Sequence, residues 1–182
     1  MSFLSDIRTT THRYVAMIAQ RNQEISDFEK KFANFYSRDV FRQKRNELET
    51  EKRNTIESAR SAIQTIVDAY KDRVKTADVL NGSDVTDDAR LLTGAFHLTA
   101  ADLEAMFDRC SGNRTMQRLI ADFAHEHEIF IARKFYTAAD KLEGAELMRR
   151  YAFNAFDRPE FSDIMGSDSY FSQITPEALK GE

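Results

Sequence analysis

From Ile7 the chain repeats a seam of apolar positions. Ile7, Tyr14, Ile18, Ile25, Phe28, Phe32 and Phe35 are separated by steps of four and three, with Thr11 and Arg21 filling the two intermediate steps. A period of about 3.5 residues is the signature of a coiled-coil stripe, so this spacing predicts one long helix over about 5–36, with Ser5 as its N-cap and the seam as a self-association surface. After Tyr36 the pattern breaks, and Ser37, Arg38 and Asp39 offer caps for a new helix. The stretch 42–55 then holds a single large apolar residue, Leu48, before apolar spacing resumes at Ile56, Ala59, Ile63, Ile66, Tyr70 and Val74. The first glycine is Gly82 and the first proline Pro159, and such a long run without either breaker favours helix throughout. Two readings fit: an antiparallel hairpin of helices over about 5–36 and 39–77, or one continuous rod.

Asn81-Gly82-Ser83-Asp84 marks the clearest boundary, and beyond it the helices shorten. Thr86 can start a short helix over about 86–94, with Asp87 and Asp88 at its positive end and Gly94 closing it. The tetrapeptide Thr-Ala-Ala-Asp occurs at 99–102 and again at 137–140. The first copy precedes Leu103, Met106 and Phe107, which makes it a capping box with Asp in place of Glu. The second lies where apolar spacing runs from Ile131 and Phe135 to Ala138 and Leu142, which places it inside a helix. The residues after the two copies do not match, so they do not begin a repeat. Ser111-Gly112-Asn113 separates two further helices, and another is predicted over about 145–156 and stopped by Pro159. The expected organisation is all-α: a long hairpin or coiled coil over 1–80, a compact bundle of short helices over 81–158, and a C-terminal tail over 159–182 that docks through Phe161, Ile164, Tyr170 and Phe171.

Charge adds an asymmetry. The net charge is only −4, but residues 1–77 carry 15 Lys/Arg against 11 Asp/Glu, and residues 78–182 carry 11 against 19. Halves of opposite sign can attract one another, within a chain or between copies. Cys110 is the only cysteine, which points to a reducing compartment and rules out an intramolecular disulfide. The opening MSFLSDIR has an acid and no apolar core of a secretion signal, and no apolar run reaches the ~18 residues of a membrane span. The expected location is the cytoplasm, with no membrane partner.

Chemistry is sparse. His125 and His127 point to different sides of a helix and do not form the H-E-x-x-H zinc pattern; Asp122 and His125 share a face but lack the second carboxylate–histidine unit of a di-metal bundle. No metal and no cofactor is therefore expected. The helices flanking Gly112 invite a helix-turn-helix reading through Asn113, Arg114, Thr115, Gln117 and Arg118, but Asp108 and Arg118 stand where that motif takes small or aliphatic residues. A structural corner fits better. Arg42, Lys44, Arg45, Lys52 and Arg53 form the one basic stretch, interleaved with Glu47, Glu49 and Glu51; a solvated, ion-paired face is the plain reading and a nucleic-acid contact the sharper one. Cys110, near a helix C-terminus, is poorly placed to become a thiolate. None of this supports an enzyme.

Leu98-Thr99, Asp102-Leu103, Asn113, Thr115-Met116 and Arg118-Leu119, within 98–125, form a pattern similar to segments of uncharacterised helical phage and prophage proteins of Gram-positive bacteria. The similar stretch covers under a sixth of the chain. The resemblance implies a phage-encoded helical protein of the virion-assembly region, working in the host cytoplasm or the virion, and it implies no catalytic residue. The expected function is a non-enzymatic, scaffold-like interaction protein that forms homo-oligomers. The alternatives are a monomeric regulator or inhibitor that binds a host protein through its acidic half, and a nucleic-acid-binding regulator.

Overall fold

The computed structural model describes residues 2–33, 35–158 and 168–180, and among these every regular element is helical. The chain forms two compact units: Met1–Lys71 with Leu142–Glu182, and Asp72–Lys141.

The first unit is built on α1 (Phe3–Phe32) and α2 (Arg38–Ala77). The two helices form an antiparallel hairpin, not a rod. Partners on α2 fall as positions on α1 rise: Phe3 stacks on Tyr70 at 4.1 Å, Arg21 pairs with Glu51 at 3.2 Å, and Glu29 pairs with Arg45 at 2.6 Å. The Phe41 N–H donates to the Ser37 carbonyl to open α2. Ser2, not Ser5, caps α1, its hydroxyl accepting from the Ser5 N–H at 3.3 Å, because Phe3 is already drawn into the core against Tyr70.

A third helix, α5 (Ala138–Asp157), packs along this hairpin. Lys71 pairs with Glu146, and a step of eleven residues back along α2 and forward along α5 brings Arg60 to Asp157 at 2.7 Å, so these helices run antiparallel. The expected 81–158 bundle is thus divided, and α5 joins the hairpin because its small and apolar face (Ala145, Met148, Ala152, Ala155, Phe156) meets the hairpin's own. The shared core is Phe3, Ile7, Val15, Ile18 and Ile25 with Ala59, Ile63, Val67 and Tyr70; Val67 takes the buried place that the spacing gives to Ile66. Each of these aliphatic side chains contributes roughly 1.5–3 kcal/mol by leaving water. Thr11 is tolerated in the seam because its hydroxyl donates to the Ile7 carbonyl at 2.7 Å. The C-terminal segment adds α6 (Asp168–Ile174) and a 3₁₀ turn at Glu177–Leu179, whose buried Leu179 lies where a Cβ on Gly144 would come within 3.1 Å.

The second unit holds two short 3₁₀ helices, Gly82–Asp84 and Asp87–Thr93, then α3 (Ala100–Arg109) and α4 (Arg114–Glu126). Gly94 closes the second 3₁₀ helix at φ 77°, and Gly112 turns the chain between α3 and α4 at φ 85°. The core gathers Leu103, Met106, Phe107 and Cys110 of α3 and its end with Met116, Ile120, Phe123 and Ala124 of α4. Leu98, Ile129, Ile131 and Phe135 pack on it from loops.

Both Thr-Ala-Ala-Asp copies prove to be helix starts. Thr99 and Asp102 form a reciprocal capping box on α3. Thr137 and Asp140 repeat it on α5: the Thr137 N–H donates to Asp140 Oδ2 at 2.8 Å and the Asp140 N–H to Thr137 Oγ1 at 3.2 Å. The mid-helix reading of 137–140 is therefore wrong. Ile131 and Phe135 reach their core from an irregular segment, and helix begins only at Ala138.

Candidate functional site

The seam residues predicted for self-association divide along α1. Ile7, Ile18 and Ile25 are buried within the chain's own fold, Tyr14 is half-buried with its ring 6.3 Å from Phe156, and only the aromatic end is left open. The seam is not free for a second copy, because α2 and α5 already cover it.

At that open end the hairpin turn makes a compact aromatic cluster. Phe28 stacks on Phe41 at 5.0 Å and on Tyr36 at 6.4 Å, and Phe32 lies 5.4 Å from Tyr36. These contacts, with the Phe35 N–H donating to the Phe32 carbonyl, fix the turn. They leave Phe35 81% exposed, with Tyr36 and Val40 about half so. Segment 30–42 carries four cations, Lys30, Lys31, Arg38 and Arg42, and one acid, Asp39. Among the described residues none of the four makes an ion pair. Farther from the turn, Lys44 pairs with Glu47 and Arg45 with Glu29, so two of the five basic residues proposed for nucleic acid are neutralised by carboxylates; Lys52 is half-buried and Arg53 exposed. The hydrogen bond between Lys44 and Glu47 pulls that carboxyl below the usual range and raises the ammonium.

The second unit presents another exposed aromatic, Phe130, at 86%. It follows the end of α4, which closes as a Schellman motif: the Ile129 N–H donates to the Ala124 carbonyl at 2.8 Å and the Glu128 N–H to the His125 carbonyl at 3.2 Å. The residue that turns the chain there is Glu128, at φ 56°. Such a position usually takes glycine, because a Cβ in the left-handed region costs energy. Ile129 anchors the near side of Phe130 in the core, and on the far side the Ala132 N–H donates to Glu104 at 2.7 Å while Arg133 pairs with Asp108. Phe130 is therefore held outward between two fixed points. Segment 122–130 carries three acids, Asp122, Glu126 and Glu128, and no Lys or Arg. Asp122 lies 3.7 Å from Arg118, whereas Glu126 and Glu128 make no ion pair among the described residues.

The helix-turn-helix candidates serve the fold of their unit. Asn113 caps α4, accepting from the Met116 N–H, and donates to the Asp84 carbonyl at 2.6 Å. Arg114 pairs with Asp78 at 2.8 Å, Arg118 donates to the Asp78 carbonyl, and the buried Thr115 hydroxyl accepts from the Asn81 N–H. Among the described residues no cluster of three His, Cys, Asp or Glu is placed to hold a metal. His127 stacks on Phe123 at 4.0 Å. Cys110 is buried, and burial first, then the nearby Asp88, pushes its thiol pKa up, the direction that suppresses a nucleophile. Of the tail positions, Phe161 and Ile164 lie outside the described residues; Tyr170 and Phe171 are half-buried, with the Arg8 guanidinium 5.7 Å from the Phe171 ring centre. The gap between α1, α5 and α6 is only about 10 Å³, room for no more than a single water.

Sequence spacing marked the hairpin aromatics but gave no prominence to Phe130 or Glu128; a phenylalanine flanked by acids just after a helix was the available signal. No family model, curated protein or solved structure matches the chain. No helix among the described residues is long and apolar enough to cross a membrane.

Proposed function

We propose that this chain acts by contact rather than by catalysis, as a scaffold-like helical protein of the assembly kind that its phage resemblance implies. One observation carries the reading: the hairpin turn leaves Phe35 81% exposed beside an aromatic cluster, in a segment whose four cations make no ion pair among the described residues. Phe35, Tyr36 and Val40 leave apolar surface exposed together at the turn, and aromatics with arginines are the usual anchors of protein interfaces. A second reading, a regulator that binds a host protein through its acidic half, draws on the exposed Phe130 beside Glu126 and Glu128.

A photo-crosslinking residue placed at position 35, compared with one at the exposed mid-helix position 57, tests the first reading in cells making the protein. Adducts specific to position 35 are expected. Equal or absent labelling at the two positions would overturn the tip as the working surface.

A further inference from the structure

The chain carries two exposed aromatics, Phe35 in a segment rich in cations and Phe130 just after a run of acids. We infer that the Phe35 tip of one copy docks against the Phe130 surface of a second copy, a head-to-tail contact between different patches. This rests on the reading of the tip as the working surface and names its partner.

Complementarity is the argument. Segment 30–42 has four cations against one acid, and segment 122–134 has three acids against Lys134 and an Arg133 that is paired with Asp108. The tip cations Lys30, Lys31, Arg38 and Arg42, and the acids Glu126 and Glu128, make no ion pairs with described residues, so both sets are available across an interface. Two tips facing each other would bring like charges together, and so would two acidic patches. The charge pattern therefore disfavours pairing tip to tip or patch to patch and favours tip on patch. The backbone that carries each anchor is held: at Phe35 by the cluster of Phe28, Phe32, Tyr36 and Phe41, with the Phe32 ring 6.4 Å from that of Phe35, and at Phe130 by Ile129 on one side and the Ala132 N–H bonded to Glu104 on the other. Backbone ordering therefore adds little to the cost of contact. Glu128 adds an independent sign. It holds a left-handed backbone conformation that glycine would adopt without strain, and in doing so keeps a carboxylate two residues before Phe130. A contact of this heterologous kind repeats from copy to copy, closing as a ring or growing as a filament, which is the behaviour of an assembly component.

The test uses the full chain and two variants, Phe35→Ser and Phe130→Ser. Both sites are exposed, so the fold is retained, and circular dichroism checks it. The parent should associate with rising concentration, and association should fall about tenfold or more between ~50 mM and ~500 mM salt as the charges are screened. Each variant alone should be monomeric. An equimolar mixture should recover a complex limited to two chains, because the tip of Phe130→Ser still fits the patch of Phe35→Ser. Recovery in the mixture establishes the contact. A parent that stays monomeric, or variants that associate as the parent does, or a mixture that stays monomeric would overturn it. If crosslinks at position 35 then report another protein, the tip remains the working surface and only the second-copy partner is wrong.

Discussion

Replacing Glu128 by glycine should stabilise the protein while weakening its self-association. Glu128 sits at φ 56° as the turning residue of the α4 Schellman motif, and its N–H and that of Ile129 bond back to His125 and Ala124. A Cβ in this region costs roughly 1–2 kcal/mol. Glycine removes that cost but gains freedom in the unfolded chain, which offsets about 0.5–1 kcal/mol. The side chain makes no ion pair within the described residues, so nothing else is lost on folding. The expected net gain is about 0.5–1 kcal/mol, or roughly 1–4 °C in melting temperature for a chain of this size. The assay is urea denaturation followed by circular dichroism, with Glu128→Ala as control, since alanine keeps the Cβ. The order of stability should be glycine above glutamate, with alanine level with glutamate. A glycine variant no more stable than the alanine variant would refute the left-handed turn. Loss of the carboxylate should at the same time reduce the salt-sensitive association, so that stability and assembly move in opposite directions.

Three further substitutions probe the fold. Ile18→Asp buries a carboxylate at a fully buried position of the three-helix core, a cost of at least ~4 kcal/mol that is comparable with the whole stability of a domain; far-ultraviolet circular dichroism should show lost helix, and a variant that melts like the parent would mean the seam is not internal. Thr137→Ala should cost about 1 kcal/mol in denaturant unfolding, as Thr99→Ala should, because both remove a capping-box hydroxyl. An effect from Thr99→Ala alone would restore 137–140 to the middle of a helix. Glu146 is held below the ordinary carboxylate range by the Lys71 hydrogen bond first and by Arg149 second. Its contribution is therefore present above the unfolded carboxylate pKa and is lost as pH falls through the lowered folded one. Glu146→Gln should accordingly be less stable than the parent near neutrality and converge with it in acid unfolding; an unchanged gap down to pH ~2 would count against the pairing.

Local spacing made the helices legible, but not what covers them. The four-and-three steps from Ile7 to Ile25 identified buried positions, and the absence of glycine and proline before Gly82 identified long helices. What buries those positions is α2 and α5 of the same chain, a long-range pairing that no window of residues reveals. The same limit explains the division of the expected 81–158 bundle. Periodicity also misled at 131–142: Ile131 and Phe135 are spaced as in a helix yet pack from an irregular segment, and the Thr-Ala-Ala-Asp beside them, read as mid-helix, is a capping box. Phe35 appeared as the last member of a seam and is instead left in water, because the chain turns just there. Glu128 occupies a glycine's conformation without being glycine, and that conformation leaves no trace in residue type.

The most direct measurement is the solution mass by light scattering after size exclusion, over a wide range of concentrations at low and high salt. Mass that rises with concentration at low salt and returns to that of one chain at high salt is the predicted result. The mass of a single chain at every concentration and salt would contradict it.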